Sequence, residues 1–194
     1  MPREVRRTQI AEAALRIIAR QGVRALTTSA IAQEVGISEA NLYRHFRNKD
    51  EILSEMVDMI GEGLRKNFES VFKTDATPIS KLKKVFRLHL DYIEKNEGIP
   101  RLGFSEDMHW GNRELGERLL RNIERYADEL EKLMREGQKT GALKRELEPR
   151  TAALMLIGMV QVVTFRWSLS GFSFPLVAEG MKMWENFESC VRLK

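Results

Sequence analysis

Short polar groups, an aromatic hydroxyl and several cations are concentrated near the N-terminus of this 194-residue chain, where residues 38–49 read SEANLYRHFRNK. Such groups can bond the base edges of DNA. Arginine bonds guanine at two points, asparagine bonds adenine in the same way, and an alanine methyl packs against thymine. By residue type, Ala40, Asn41 and Arg44 are therefore predicted to read bases. Glu39 could accept from cytosine, but the helix dipole already favours an acid in the first turn of a helix.

The residues around this segment predict two short helices joined by a tight turn. Gly36 tolerates the positive φ that such a turn needs, and Ser38 is placed to cap the second helix, which is expected over residues 39–46. Ile37 and Leu42 match a hydrophobic staple, which sets the angle at which the chain enters that helix. A small apolar core is expected from Ile31, Val35, Ile37, Leu42 and Phe46.

Residues 27–53 read TTSAIAQEVGISEANLYRHFRNKDEIL, with characteristic residues at Thr27-Thr28, Ile31-Ala32, Gly36-Ile37-Ser38, Leu42-Tyr43, His45-Phe46, Lys49 and Leu53. This pattern resembles the DNA-binding segment of the TetR/AcrR family of bacterial transcription regulators. The resemblance implies an all-α regulator that binds double-stranded operator DNA as a two-fold dimer. It also implies that Thr28, Tyr43, His45 and Lys49 touch phosphates and fix the register. The predicted DNA contacts are Thr28, Ser38, Ala40, Asn41, Tyr43, Arg44, His45 and Lys49.

The net positive charge of the chain lies entirely in the same region. The whole chain carries +4, residues 1–50 contain nine Lys or Arg and five Asp or Glu, and the remaining charges balance. A basic excess on the segment with the motif predicts a polyanionic partner, although a solvated charged surface is the alternative. Arg3, Arg6 and Arg7 form a basic arm, which either lies along a phosphate backbone or is a frayed terminus with incidental charge.

Helical periodicity runs through the chain, and no segment shows sustained alternation of apolar and polar residues. We predict an all-α fold of about nine helices with two parts. Residues 1–47 form a three-helix, helix-turn-helix DNA-binding head, and residues 48–194 form a helical effector-binding and dimerisation body. Asn48 is placed to cap a fourth helix that ends near Phe72, long enough to connect the two parts.

Breaks in the periodicity divide the body into its helices. Gly98 and Pro100 are expected to break the fifth helix, and residues 101–111 to form a short, irregular or helical piece. Asn112 is placed to cap the next helix. Pro149 suits the start of the eighth helix, because its missing N–H has no intrahelical partner there.

The eighth predicted helix, residues 149–169, is apolar on nearly all sides. Its most apolar run, residues 152–163, contains Gln161 and is followed closely by Arg166, and it is shorter than the roughly 18 to 20 residues that span a bilayer. We therefore expect a buried helix and no membrane association. With the amphipathic last helix it is predicted to form a four-helix homodimer interface, and a monomer with one buried helix is the alternative.

Large and partly adaptable side chains in the body predict a pocket for a small, hydrophobic effector, since helical regulators of this kind typically enclose one. His109 beside Trp110 would add a polar contact. The alternative for each residue is an ordinary place in the core. The predicted pocket residues are Phe86, Leu90, Phe104, Met108, His109, Trp110, Met155, Met159, Phe165 and Trp167.

Enzymatic chemistry finds little support in the sequence. The three histidines, His45, His89 and His109, are far apart and show no metal-ligand spacing, so we expect no metal site, no cofactor and no catalytic residue. The single cysteine, Cys190, excludes an internal disulfide framework and fits a reducing cytoplasm.

These features predict a cytoplasmic, dimeric, effector-responsive transcription regulator. Repression relieved by a largely apolar ligand is the outcome that the family resemblance implies. The alternative is a DNA-bound helical interaction protein that recruits another protein and has no small-molecule effector. An all-α enzyme or lipid carrier is a third hypothesis, but it predicts clustered titratable groups that the sequence lacks.

Overall fold

The structure, a computed structural model, describes residues 3–106, 108 and 113–193. Over these residues the backbone forms nine α-helices, a 3-10 turn at Val23–Ala25 and no β-strand, so the predicted all-α fold is confirmed. The helices are α1 Arg3–Gln21, α2 Thr28–Val35, α3 Glu39–Tyr43, α4 Lys49–Phe72, α5 Pro78–Glu94, α6 Gly98–Gly103, α7 Arg113–Lys139, α8 Pro149–Leu169 and α9 Leu176–Val191.

The chain divides into two compact units. The first unit contains residues 1–62 and 96–122, and the second contains residues 63–95 and 123–194. The helices α4 and α7 each contribute residues to both units. A packing unit is not a functional domain, and the boundary between head and body expected at residue 47 stays a prediction.

The core of the first unit forms around α1, where the apolar residues from Ile10 to Ile18 recur at helical spacing and are buried. Ile10, Ile18 and Met56 are 0% exposed. Leu42 and Phe46, two apolar residues of the helix-turn-helix segment, are each 1% exposed. The predicted small core of the helix-turn-helix is therefore part of a larger core that α1 and α4 complete.

Two elements differ from the sequence expectation. The helix α3 ends at Tyr43 rather than Phe46, because the Arg44 N–H bonds the carbonyl of Asn41 (3.2 Å) and the His45 N–H bonds that of Leu42 (2.9 Å), which tightens the last turn. The helix α6 begins at Gly98 and so starts before the expected residues 101–111. Its Pro100 lies in the first turn, where no N–H is needed. The predicted cap Asn112 lies outside the described residues.

The second unit is built from α5, α8 and α9 with the later parts of α4 and α7. Leu90 of α5 approaches α9 so closely that a Cβ on Gly180 would lie 2.3 Å from its Cδ1 atom. The rings of Phe86 and Trp184 are 5.7 Å apart, and both side chains are at most 2% exposed. Glycine at position 180 therefore allows the two helices to pack with their backbones close together.

The helix α8 is capped and anchored at its N-terminus. Glu148 accepts from the N–H groups of Arg150 (3.1 Å) and Thr151 (2.5 Å), and Pro149 occupies the first turn as predicted. Arg150 also pairs with Asp128 of α7 at 2.6 Å. By length and composition α8 is the one helix in the described part of the chain that could cross a membrane, but it is partly buried and core helices share these properties.

Candidate DNA interface

The turn between α2 and α3 has the geometry that its sequence predicts. Gly36 adopts the left-handed conformation at φ 74° and ψ 39°. Its own N–H bonds the carbonyl of Gln33 (3.1 Å), and the Ile37 N–H bonds that of Ala32 (2.9 Å). This pair of bonds closes the C-terminus of α2 and turns the chain directly into α3.

The N-terminus of α3 is held by the predicted cap and staple. The Ser38 hydroxyl oxygen accepts from the Asn41 N–H at 3.2 Å, which satisfies one of the orphan donors of the helix. Ile37 packs against the same core cluster as Leu42. The buried side of α3 is therefore fixed, and its other side chains must face outward.

Most of the predicted contact residues lie on this outward side or close to it. Tyr43 is 52% exposed. Ser38, Ala40 and Arg44 are also exposed, whereas Thr28, Asn41, His45 and Lys49 are half-buried. The structure thus brings base-reading and phosphate-binding residue types together around one short helix, while their individual roles stay predictions.

The N-termini of α2 and α3 are joined by a bond that the sequence did not reveal. The Thr28 hydroxyl donates to the Glu39 carboxylate at 2.9 Å. A threonine hydroxyl carries one proton, so in this arrangement it has none left for a phosphate. Glu39 therefore has a side-chain partner in addition to the favourable helix dipole.

The helix α2 is tied to α1 by a second carboxylate. Glu34 accepts from Arg20 at 2.5 Å and from Arg16 at 3.3 Å. The hydrogen bond from Arg20, which outweighs the opposing effect of burial, lowers the pKa of Glu34 below its ordinary value. This contact supports the helix-turn-helix from the α1 side.

The start of α4 also follows the sequence prediction. Asn48 Oδ1 accepts from the Glu51 N–H at 2.9 Å, and Glu51 in turn accepts from the Arg47 N–H at 2.9 Å. These reciprocal bonds resemble a capping box and place Lys49 in the first turn of α4.

Arg7 does not belong to a terminal arm. The expected arm covers residues 1–7, and its described part, residues 3–7, is helical because α1 begins at Arg3. The Arg7 guanidinium bonds Glu55 of α4 and donates to the carbonyl of His45 at 2.7 Å. Sequence reasoning missed this contact because the partners are 38 and 48 residues away along the chain.

A polar cleft of about 660 Å³ opens beside the C-terminal end of α3. On its α7 side, Arg118 bonds Asp58 at 2.6 Å and Glu114 at 3.2 Å. Burial by itself lowers the pKa of the Arg118 guanidinium, but the bonds to these carboxylates outweigh it and raise that pKa. The first turns of α7 are thereby tied to α4.

The predicted effector residues fall in both packing units. Phe104 and Met108 belong to the first unit, and the remaining described members belong to the second. Trp167 is buried like Phe86 and Leu90, whereas Met155 and Phe165 are exposed on α8 at 56% and 44%. His109 and Trp110 lie outside the described residues. The pocket stays a prediction.

The second unit contains a polar pair that sequence reasoning did not single out. His89 Nδ1 lies 3.0 Å from the Tyr126 hydroxyl, and the Phe68 ring packs edge-on against Tyr126 with centroids 4.6 Å apart. Burial lowers the pKa of His89 to about 4 and raises that of Tyr126. At neutral pH the pair is therefore uncharged.

Two family models match the chain. Residues 10–56 match the model described as "Bacterial regulatory proteins, tetR family". This matched segment contains α2, α3 and the start of α4. Residues 75–169 match the model described as "Tetracyclin repressor-like, C-terminal domain". The two matches follow the order of the predicted head and body.

Known proteins resemble the chain over nearly its whole length. The nucleoid occlusion factor SlmA of Vibrio vulnificus (strain YJ016) is 27% identical over 184 residues, covering 94% of this chain and 90% of that protein. The regulator FadR from Bacillus subtilis, solved in complex with stearoyl-CoA, superposes with a TM-score of 0.81 at 24% identity, covering 94% and 97% of the two chains. A TetR transcription regulator from Haloarcula marismortui superposes at 0.86 with 17% identity, covering 98% and 100%.

Proposed function

Because the chain belongs to the TetR family of bacterial regulatory proteins, we propose that it is a homodimeric transcriptional repressor released from its operator by a small, largely apolar effector. The family consists of DNA-binding regulators rather than enzymes. The observation that carries the proposal is α3 itself. It is capped by Ser38, anchored by Leu42 and Phe46, and presents Arg44 and Tyr43 to solvent.

At the operator, the predicted contact residues on and around α3 have two roles. Ala40, Asn41 and Arg44 read base edges in the major groove, where asparagine and arginine can each form two bonds to one base. Backbone phosphates are contacted by the second group, which fixes the register. This second group is Thr28, Tyr43, His45 and Lys49.

The dimer forms through α8 and α9. On α8 four exposed apolar side chains recur at spacings of seven, three and four residues, and a fifth lies next to the first of them, so the row occupies one side of the helix. An exposed apolar row of this length is typical of an interface between protein chains. Its members are Leu154, Met155, Val162, Phe165 and Leu169, which are 44% to 72% exposed.

The effector acts by changing the separation of the two reading heads. Two recognition helices must enter successive major grooves about 34 to 36 Å apart, so a small displacement weakens binding. Both α4 and α7 contribute residues to the two packing units, which gives a change in the body a continuous helical route to the head. The stearoyl-CoA bound to the Bacillus FadR supports an effector with a long apolar part.

The alternative function is a DNA-bound protein that recruits another protein and needs no effector. The relatives named as nucleoid occlusion factors favour this alternative, because that name describes a role other than the control of transcription. Under this alternative, apolar compounds should leave DNA binding unchanged.

The discriminating experiment begins with selection of duplexes by the full-length protein from a randomised DNA library. The best selected duplex is then titrated with long-chain acyl-CoA thioesters and a panel of hydrophobic metabolites. Release of the duplex by one compound supports the effector-responsive regulator. Enrichment without any release favours the recruiting protein, and a library that shows no enrichment contradicts operator recognition.

A further inference from the structure

One half-buried ion pair in the first unit contacts the turn that follows α3. Arg7 of α1 donates from Nε (2.9 Å) and Nη2 (2.7 Å) to a single oxygen of Glu55 on α4. Its Nη1 donates to the His45 carbonyl at 2.7 Å, and its guanidinium carbon lies 4.0 Å from the centroid of the Phe46 ring. The Arg7 side chain therefore connects α1 and α4 to the turn at His45 and Phe46, which follows α3.

The helix α3 needs such a connection because it contains five residues. Isolated helices shorter than about 12 residues are marginal in water. Ser38 satisfies the N-terminal end, but carbonyl groups at the C-terminal end of a helix also lack intrahelical partners. A cation near that end is favourable, and Arg7 supplies both the positive charge and a donor.

We propose that Arg7 and Glu55 are positioning residues for DNA reading. Glu55 orients the planar guanidinium, and the guanidinium holds the turn at His45 and Phe46. The exposed residues of α3 are thereby kept at the angle at which they meet base edges. This inference depends on the proposed DNA function and assigns a role to two side chains that need not touch DNA.

The competing explanation is that Arg7 contacts a phosphate directly. Arginine has five N–H donors, and three of them are engaged here. A variant that lacks the Glu55 carboxylate distinguishes the two explanations, because they predict opposite changes in DNA affinity. Removing a carboxylate from a basic DNA-binding head strengthens binding by electrostatics alone, whereas loss of the Arg7 contact weakens it.

The test measures binding of the full-length protein to the selected duplex and to a scrambled duplex of the same composition over a salt series. Glu55→Gln should weaken binding to the selected duplex roughly tenfold, because a charged hydrogen-bonded pair is lost. Binding to the scrambled duplex should change no more than it does in the control variant below, and the salt slope should stay unchanged. Glu12→Gln removes the same charge from an exposed position on α1 and is the matched control.

The arginine variants complete the test. Arg7→Lys keeps the charge but cannot reproduce the planar three-donor contact, so it should weaken specific binding as much as Arg7→Gln does. Arg24→Lys makes the same change at an exposed arginine of the same unit and is its control. The double variant Arg7→Gln/Glu55→Gln should bind no more weakly than the weaker single variant, since both remove one contact.

Three results would overturn the inference. Glu55→Gln could bind the selected duplex as tightly as the wild-type protein, or more tightly. Arg7→Lys could bind like the wild type while Arg7→Gln lowers the salt slope by about one, which would make Arg7 a phosphate contact. If Glu55→Gln loses its helical circular dichroism, Glu55→Met replaces it, because methionine suits a helix and has no carboxylate, and wild-type affinity of that variant is the third such result. If the wild-type protein selects no duplex, the proposed DNA-binding function is contradicted, and so is the positioning role that depends on it.

Discussion

Single hydrogen bonds decide which side chains around α3 are available to a partner. Arg44 is exposed on α3, whereas the Thr28 hydroxyl is engaged by Glu39 at 2.9 Å. A phosphate contact from Thr28 therefore requires this bond to exchange when DNA binds. The availability of a polar side chain depends on its partners in the fold as well as on its residue type.

Arg44 and Lys49 are expected to differ in how their loss affects binding. Arg44→Ala should cost about 1 to 3 kcal/mol and relax the base preference at one operator position. Lys49→Ala should weaken selected and scrambled duplexes alike and reduce the salt slope by about one. Affinities for the selected duplex and its single-base variants over a salt series measure both effects. Unchanged affinity in both variants would contradict this placement.

Glu39→Gln tests whether the acid at the start of α3 reads a base. If helix-dipole stabilisation and the bond from Thr28 account for Glu39, removing its charge should tighten both selected and scrambled duplexes about two- to fivefold, because exposed charges contribute about 1 kcal/mol or less. Glu12→Gln on α1 should change both affinities less. Weaker binding to the selected duplex alone would instead make Glu39 a base reader.

At the scale of helices, the chain uses polar contacts to join elements that are distant in sequence. Arg118 and Asn122 of α7 bond Asp58 and the Val57 carbonyl of α4, the latter at 3.1 Å. Between α5 and α7, the His89 imidazole forms a hydrogen bond with the Tyr126 hydroxyl. Because His89 is neutral in its folded environment, this second contact makes stability depend on pH.

The expected pH dependence follows from the low pKa of His89. In the unfolded chain the imidazole takes up a proton near its ordinary pKa of 6.5, whereas in the folded protein it does so only near 4. The unfolded state therefore binds more protons between these values, and stability falls as pH decreases through this window, by about 1.4 kcal/mol per pH unit at most.

Urea unfolding at pH 7 and pH 5, at one fixed protein concentration, measures this loss of stability. His89→Gln should remove this part of the pH dependence while leaving the contribution of the carboxylates. An equally large loss of stability in the variant and the wild type would show that His89 is not the responsible group.

At the scale of the whole molecule, the exposed apolar face of α8 is the feature that a monomer leaves unexplained. Phe165 and Leu169 are 44% and 72% exposed, although the opposite face of the same helix is buried. A second copy of the chain would cover these side chains and would give a two-fold protein the two reading heads that a palindromic operator requires.

Phe165→Glu is expected to separate the dimer, because it places a charge in an apolar interface. Sedimentation at micromolar concentration should show a monomer, with weaker binding to the selected duplex. Leu120→Glu changes an exposed leucine on α7, 55% exposed, and should leave the dimer intact. A wild-type protein that sediments as a monomer would refute the dimer directly.

Local patterns in the sequence were sufficient to predict the helical class and the main features of the helix-turn-helix. The helical class, the turn at Gly36 and the caps at Ser38 and Asn48 depend on residues within a few positions of one another, and the structure confirms each of them. The family resemblance likewise came from one contiguous segment and is confirmed by the matching family models. Local backbone preferences and capping bonds act over the same short distances, which is why such features can be read in order along the chain.

Only the tertiary structure decided which distant groups meet. No local pattern connects Arg7 to Glu55, Thr28 to Glu39, or His89 to Tyr126, because helix packing brings these pairs together across loops and intervening helices. The same packing separates the buried face of α8 from its exposed face, although the helix is apolar on nearly all sides in sequence. The residue types around α3 were evident from the sequence, but their available donors and the contacts that hold the helix in place depend on the folded arrangement.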